Sequence, residues 1–228
     1  MTRSRLLPPT VVASILSLAV LAGCTSGRST SLTTATVAGK AASLRVVPRN
    51  LRRTIFDRLP ASYIEEPSGS DLDGPLGLAA TARAVDDQET VAQEAVLQQY
   101  GFRSAYQRTW VVKGTAETLT IRVQVMGSAK QALAYFNVLT FDGGLSSQVT
   151  AFPTPELADA SGFTRSFMAT DGSEVSQDIN LARGRLFYHL ILTGPQGSIS
   201  PSDVLQIAGS QSRESALLGY TEKHSEEE

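Results

Sequence analysis

The chain of 228 residues has one Cys, two His, one Trp and an aromatic content of only 7%. A single Cys, Cys24, excludes an intramolecular disulfide and any Cys-based zinc site. His189 and His224 leave little for metal or histidine-dependent chemistry, so no metal and no cofactor is expected. No apolar run reaches the length of about 20 residues that a spanning helix needs. Acidic residues are missing from the first 56 positions altogether. What remains, 42% hydrophobic and 18% charged at a mean hydropathy of −0.05, is the profile of a soluble globular protein of one or two domains.

The net charge of −2 hides a split. Residues 1–56 hold eight of the 20 Lys and Arg; residues 57–228 hold the other 12 against all 22 acids, a balance of −10. A basic leading segment therefore precedes an acidic body. Such a body argues against nucleic acid as a partner, because phosphate neutralisation needs clustered Lys and Arg.

Arg3 and Arg5 form a positive n-region, and Val11 to Ala22 an apolar stretch of twelve residues preceded by Pro8-Pro9. That is the pattern of a secretory signal, too short for a membrane span. It closes on Leu21-Ala22-Gly23-Cys24, which resembles a bacterial lipobox. The resemblance implies cleavage before Cys24 and acylation there, so residues 1–23 are expected to be removed. The mature chain is expected to stand on the outer face of the cell membrane, with the bilayer as its first partner. Two or more acyl chains anchor stably where one alone is marginal.

Residues 24–57 read as a tether. Thr25 to Ser43 is rich in Ser, Thr, Gly and Ala and has no hydrophobic period. From Arg45 to Leu59 the pattern changes, with Leu51, Ile55 and Leu59 at helical spacing among Arg52, Arg53 and Arg58. This segment either lies on an anionic membrane surface or packs its apolar side on the body. Its stripe spans barely two turns, which favours packing.

Residues 58–216 are expected to form one domain, followed by a polar tail at 217–228. A helix is expected from Val85 to Tyr100, opened by Asp86-Asp87 and stopped by Gly101. Two strands follow, Phe102 to Val112 and Leu119 to Val125, joined by a turn at Lys113-Gly114-Thr115. The second alternates strictly, so Thr120, Arg122 and Gln124 should face solvent. Ser128 to Gln131 has capping-box form and opens a helix. A Pro-containing loop, Phe152 to Pro155, leads to three strands near Phe163–Ala169, Val175–Leu181 and Leu186–Leu192, the last apolar on both faces and therefore central. Ser200-Pro201 starts the final helix. The order α-β-β-α-β-β-β-α specifies an α+β fold, an antiparallel sheet covered by helices. Gly101-Phe102 and Gly162-Phe163 each open a strand, a faint internal echo.

The run Gly74-Pro75-Leu76-Gly77-Leu78-Ala79-Ala80, then Gly101-Phe102 with Tyr106, Arg108 and Trp110, then Tyr135-Phe136, Gly162-Phe163 and Arg183-Gly184, follows a pattern in order. It resembles a group of poorly characterised actinobacterial envelope and secreted proteins, many of them lipoproteins. The resemblance implies an envelope location and a fold similar to PsbP-like α/β/α sandwiches. It implies no activity and carries over no catalytic residue.

The body holds no nucleophile elbow, Ser-x-x-Lys pair, phosphate loop or zinc-protease signature. His189 sits mid-strand between Phe187 and Ile191, as a satisfied core histidine does. Asp71 and Asp73, near Glu65 and Glu66, lack the ligand count of a calcium loop. Arg108 and Trp110 share one strand face with Tyr106. An Arg among aromatics can hold an anionic or aromatic ligand, or it can close the end of a core with its stem along the Trp. These two are the candidate ligand-binding residues. The expected function is a ligand- or protein-binding module of the envelope, whose partner is an unknown envelope protein or small ligand. A hydrolase using unrecognised carboxylates, or a purely structural envelope protein, are the alternatives.

Overall fold

The computed structural model describes residues 50–66, 73–143, 149–169 and 172–225, with side chains except those of 140–143, 169 and 217–225. Cys24, the signal at 1–23, the tether before residue 50, and Asp71 lie outside the described residues.

Eight strands form one antiparallel sheet: β1 Tyr63–Glu65, β2 Gly74–Leu76, β3 Ser104–Val112, β4 Thr118–Val125, β5 Val149–Phe152, β6 Ala160–Ala169, β7 Gly172–Arg183 and β8 Leu186–Pro195. Their spatial order is β1-β3-β4-β8-β7-β6-β5, with β2 also paired to β3. Four helices accompany them: α1 Leu78–Val85, α2 Thr90–Gln99, α3 Ala129–Gly143 and α4 Pro201–Ser225. The α+β class and the helix-covered antiparallel sheet are as the sequence implies. β8 is the fourth strand of seven along the path, the central position that its apolar residues on both faces demand.

Local chemistry sets the element ends. Gly101 adopts φ +70°, and the amides of Gly101 and Phe102 donate to the carbonyls of Gln98 and Leu97 at 2.9 Å each. This is a Schellman close to α2, which a residue with a Cβ would enter only with strain. Ser128 Oγ accepts from the Gln131 amide at 3.2 Å and opens α3. At α4, Asp203 Oδ2 accepts from both the amide and the hydroxyl of Ser200 at 2.7 Å, with Pro201 first in the helix.

The sequence pattern misses several short elements. The expected helix 85–100 is shorter, α2 from Thr90 to Gln99, and α1 before it, Leu78–Val85, was not expected. Asp86 Oδ1 accepts from the amides of Gln88 and Glu89 and turns the chain between the two. β1, β2 and β5 are three- and four-residue edge strands, too short for alternation to show. The echo of Gly101 and Gly162 is not structural. Gly162 lies inside β6, where a Cβ would collide with the Phe152 ring.

The larger apolar core occupies one face of the sheet. There Leu119, Ile121 and Val123 of β4, Ile179 and Leu181 of β7, and Tyr188, Leu190 and Leu192 of β8 meet Val204, Ile207 and Ala208 of α4. Full burial of each large side chain contributes roughly 1.5–3 kcal/mol. Leu51 and Ile55 belong to the same cluster, at the start of and just past a single 3-10 turn, Leu51–Thr54. Gln211 of α4 fixes that turn: its Nε2 donates to Thr54 O at 2.7 Å, and its Oε1 accepts from the Phe56 amide at 2.8 Å. Residues 51–56 thus pack on the body, which begins inside the segment read as tether. α4 likewise continues to Ser225, through residues read as tail.

Candidate functional site

The opposite face of the sheet carries a polar patch beside a second, smaller apolar cluster, in which Ala182 and Phe187 meet Ala82, Leu97, Met126 and Ala132. Cross-strand register places Gln107, Arg122, His189 and Asn180 side by side on β3, β4, β8 and β7. Gln124 of β4, and Ser176 and Asp178 of β7, share that face. The strict alternation of β4 predicts a solvated face here. Instead α1, α2 and α3 cover it, and Arg122 and Gln124 are 1% and 0% exposed.

Between this face and the helices lies a cavity of about 440 Å³, within the range of small-molecule sites. β7 and β8 contribute Asp178, Asn180, His189 and Phe187 to its lining, β4 contributes Gln124, and α3 contributes Tyr135. Arg165 and Phe167 of β6, both substantially exposed, stand at its margin. Ala84 to Asp86 and Gln93 close it from α1 and α2.

Arg122 is the buried centre of the site. Nη1 donates to Ala84 O at 2.6 Å, in the last turn of α1, and to Gln107 Oε1 at 3.3 Å. Nη2 donates to His189 Nδ1 at 2.9 Å. Burial pulls the Arg122 pKa down to about 10, which still leaves it charged at neutral pH. A guanidinium has no acceptor, so His189 must accept at Nδ1 and carry its proton on Nε2. Burial above all, with the Arg122 and Arg165 charges, pushes His189 below its ordinary value against the pull of Asp178.

Asp178 receives Arg165 Nε at 2.6 Å on Oδ2. Burial opposes its ionisation, but contacts with His189 and Arg165 prevail and hold the carboxyl below its ordinary range. His189 Nε2 stands 3.9 Å from Asp178 Oδ2, beyond a hydrogen bond.

Unpartnered polar atoms converge here. Gln124 Nε2 and Oε1, Asn180 Oδ1, Asp178 Oδ1, His189 Nε2, Tyr135 OH and Gln93 Oε1 are shielded from solvent without a hydrogen-bond partner, and all six side chains line the cavity. Gln124 lies near enough to temper the Tyr135 hydroxyl, whose pKa burial drives up to about 12, without reaching bonding geometry. Each such atom costs roughly 1–3 kcal/mol. In a domain stable by about 5–15 kcal/mol, such a concentration marks a place where packing has yielded to another requirement.

Arg108 and Trp110, the pair chosen from the sequence, lie on the other face and do not line this cavity. Arg108 Nε and Nη2 donate to Glu65 Oε1 and Oε2 at 2.8 and 2.7 Å, and its guanidinium sits 4.7 Å over the Trp110 ring. Arg52 approaches the same carboxylate at 3.4 Å. Hydrogen bonding to Arg108, chiefly, holds Glu65 below its ordinary value. Glu65 is thereby committed to guanidinium partners, and Asp73 Oδ1 accepts from Thr109 Oγ1 at 2.8 Å. Among the described residues, no group of three or more His, Cys, Asp or Glu could hold a metal ion.

His189 was expected as a satisfied core histidine, and only its Nδ1 is. Sequence reasoning missed Gln124, Asp178 and Asn180. The available signal was the recurrence of polar residues at alternate positions in two strands, of which only the β4 set was considered, and then as a solvent face.

No family model and no curated protein matches the chain. Among solved structures it is similar to the extracellular domain of PknH from Mycobacterium tuberculosis, at 10% identity and a TM-score of 0.47 over 72% of this chain and 94% of that one. A likeness that faint carries no argument about function. No helix of the described residues is long and apolar enough to cross a membrane.

Proposed function

We propose that the protein is an extracytoplasmic lipoprotein, held to the outer face of the cell membrane through Cys24, whose α+β body binds a small ligand in the cavity on the polar sheet face. The anchoring part rests on the signal pattern and Leu21-Ala22-Gly23-Cys24. The binding part rests on one observation: six side chains that line a single cavity hold buried polar atoms without partners. A protein interior tolerates few such atoms, and a polar ligand is the group that would pair them.

The hydrolase reading finds less support. A general acid needs a carboxyl raised toward neutrality, whereas Asp178 moves the other way. Arg108 and Trp110 bear on the proposal as a brace between β1 and β3, opposite the ligand face.

The test is extraction. The full chain, purified under native conditions and denatured, should release a small molecule identifiable by mass spectrometry. Asn180→Leu should fold and melt like wild type yet release none. Wild-type protein that releases nothing, or a variant that retains the same molecule, would overturn the reading.

A further inference from the structure

The free hydrogen-bonding groups of the cavity specify a ligand chemistry. Donors and acceptors are mixed. Gln124 offers both, Asn180 Oδ1 and Asp178 Oδ1 accept, His189 Nε2–H donates, and Tyr135 OH does either. The charges are largely engaged with one another. Arg122 spends its Nη donors on Ala84 O, Gln107 and His189, and Asp178 Oδ2 holds Arg165. Arg122 keeps only Nε without a partner, is 1% exposed and does not line the cavity, so an anion there would meet only Arg165 at the margin, already bonded to Asp178. A cation would meet two guanidinium groups and a carboxylate that already holds Arg165 on one oxygen. An apolar molecule would leave every one of these atoms without a partner.

The group that satisfies mixed donors and acceptors is the hydroxyl, which, like water, both donates and accepts. Rings of such molecules also present C–H faces to aromatic surfaces, and Phe187 and Phe167 line the same cavity. On the binding reading above, we infer that the ligand is an uncharged polyhydroxylated molecule of mono- or disaccharide size, bound by Gln124, Asp178, Asn180 and His189.

The test presents defined probes to the full chain by saturation-transfer NMR and thermal melts. Maltose, lactose and sorbitol represent the neutral class, glucuronate and inorganic phosphate the anions, and tetramethylammonium the cations. At least one neutral probe should receive saturation and raise the melting temperature. Gln124→Met and Asn180→Leu should each weaken that probe by about tenfold or more, while the free variants melt at or above wild type. Two variants guard against one failing to fold. Maltose-coupled agarose beside free maltose separates a chain end from a free sugar, and binding in either form supports the inference. Binding by an ionic probe alone overturns the hydroxyl chemistry and leaves the binding reading standing. Neutral binding that persists in both variants overturns the site. A chain that binds no probe and releases no extractable molecule overturns both.

Discussion

Arg122 Nη2 and His189 Nδ1 lie 2.9 Å apart, so a buried guanidinium is held by an imidazole rather than by a carboxylate. Its two other partners are also neutral, a main-chain carbonyl and an amide oxygen. An imidazole that protonated at Nδ1 would lose this bond and place a second positive charge against the first.

Acid should therefore destabilise the fold early. His189 titrates at about 6.5 when unfolded and lower in the folded protein, where burial, Arg122 and Arg165 oppose its charge and Asp178 favours it. Below pH 6.5 the unfolded state binds more protons than the folded one, so stability falls with pH through that window. Asp178, also depressed when folded, acts in the same direction but only near and below its ordinary 3.8. The melting temperature of wild type should drop between pH 6.5 and 5, and His189→Gln should flatten that slope. Equal slopes in both proteins would show that His189 is not the titrating group.

The brace of Arg108 and Trp110 should appear as stability. Trp110 is buried in the core, so Trp110→Ala should cost about 3–5 kcal/mol in urea melts. Arg108→Ala leaves Glu65 without its bidentate partner and should cost about 1–3 kcal/mol. Glu65 keeps partial solvent access and Arg52 nearby, which makes its loss the smaller one. Neither change should affect cavity binding in protein that remains folded. An Arg108→Ala chain of wild-type stability that loses its ligand would return this face to consideration.

Gln211 should decide whether residues 51–56 stay down. It is fully buried and bonds both Thr54 O and the Phe56 amide. Gln211→Ala strands both groups, at a cost of about 1–3 kcal/mol each, and frees a turn that carries exposed Arg52 and Arg53. Limited trypsin digestion should cut there faster in the variant than in wild type. Unchanged cleavage would mean that Leu51 and Ile55 hold the segment without the clamp.

Cys24→Ala tests the anchor. The variant should leave the membrane fraction or accumulate unprocessed, since no other Cys can take the lipid. A variant that fractionates with membranes as wild type does would place the attachment elsewhere.

The amino-acid sequence by itself determined the α+β class, the long strands, their turns and the helix caps. Each of these depends on residues within a few positions of one another: the alternation of Leu119 to Val125, Gly114 at φ +85° in a turn, Ser200 and Asp203 at a helix start. Tertiary structure alone decided the site. Alternation tells that Arg122 and Gln124 point away from Leu119 and Ile121, but not what lies over them. That depends on α1 and α3, elements dozens of residues apart in the chain, closing over β4, β7 and β8. Arg108 and Trp110 drew attention because their chemistry is visible in one strand. Gln124, Asp178 and Asn180 became a site only when antiparallel pairing through β8 brought β4 and β7 onto one covered face, where a polar group without a partner is costly.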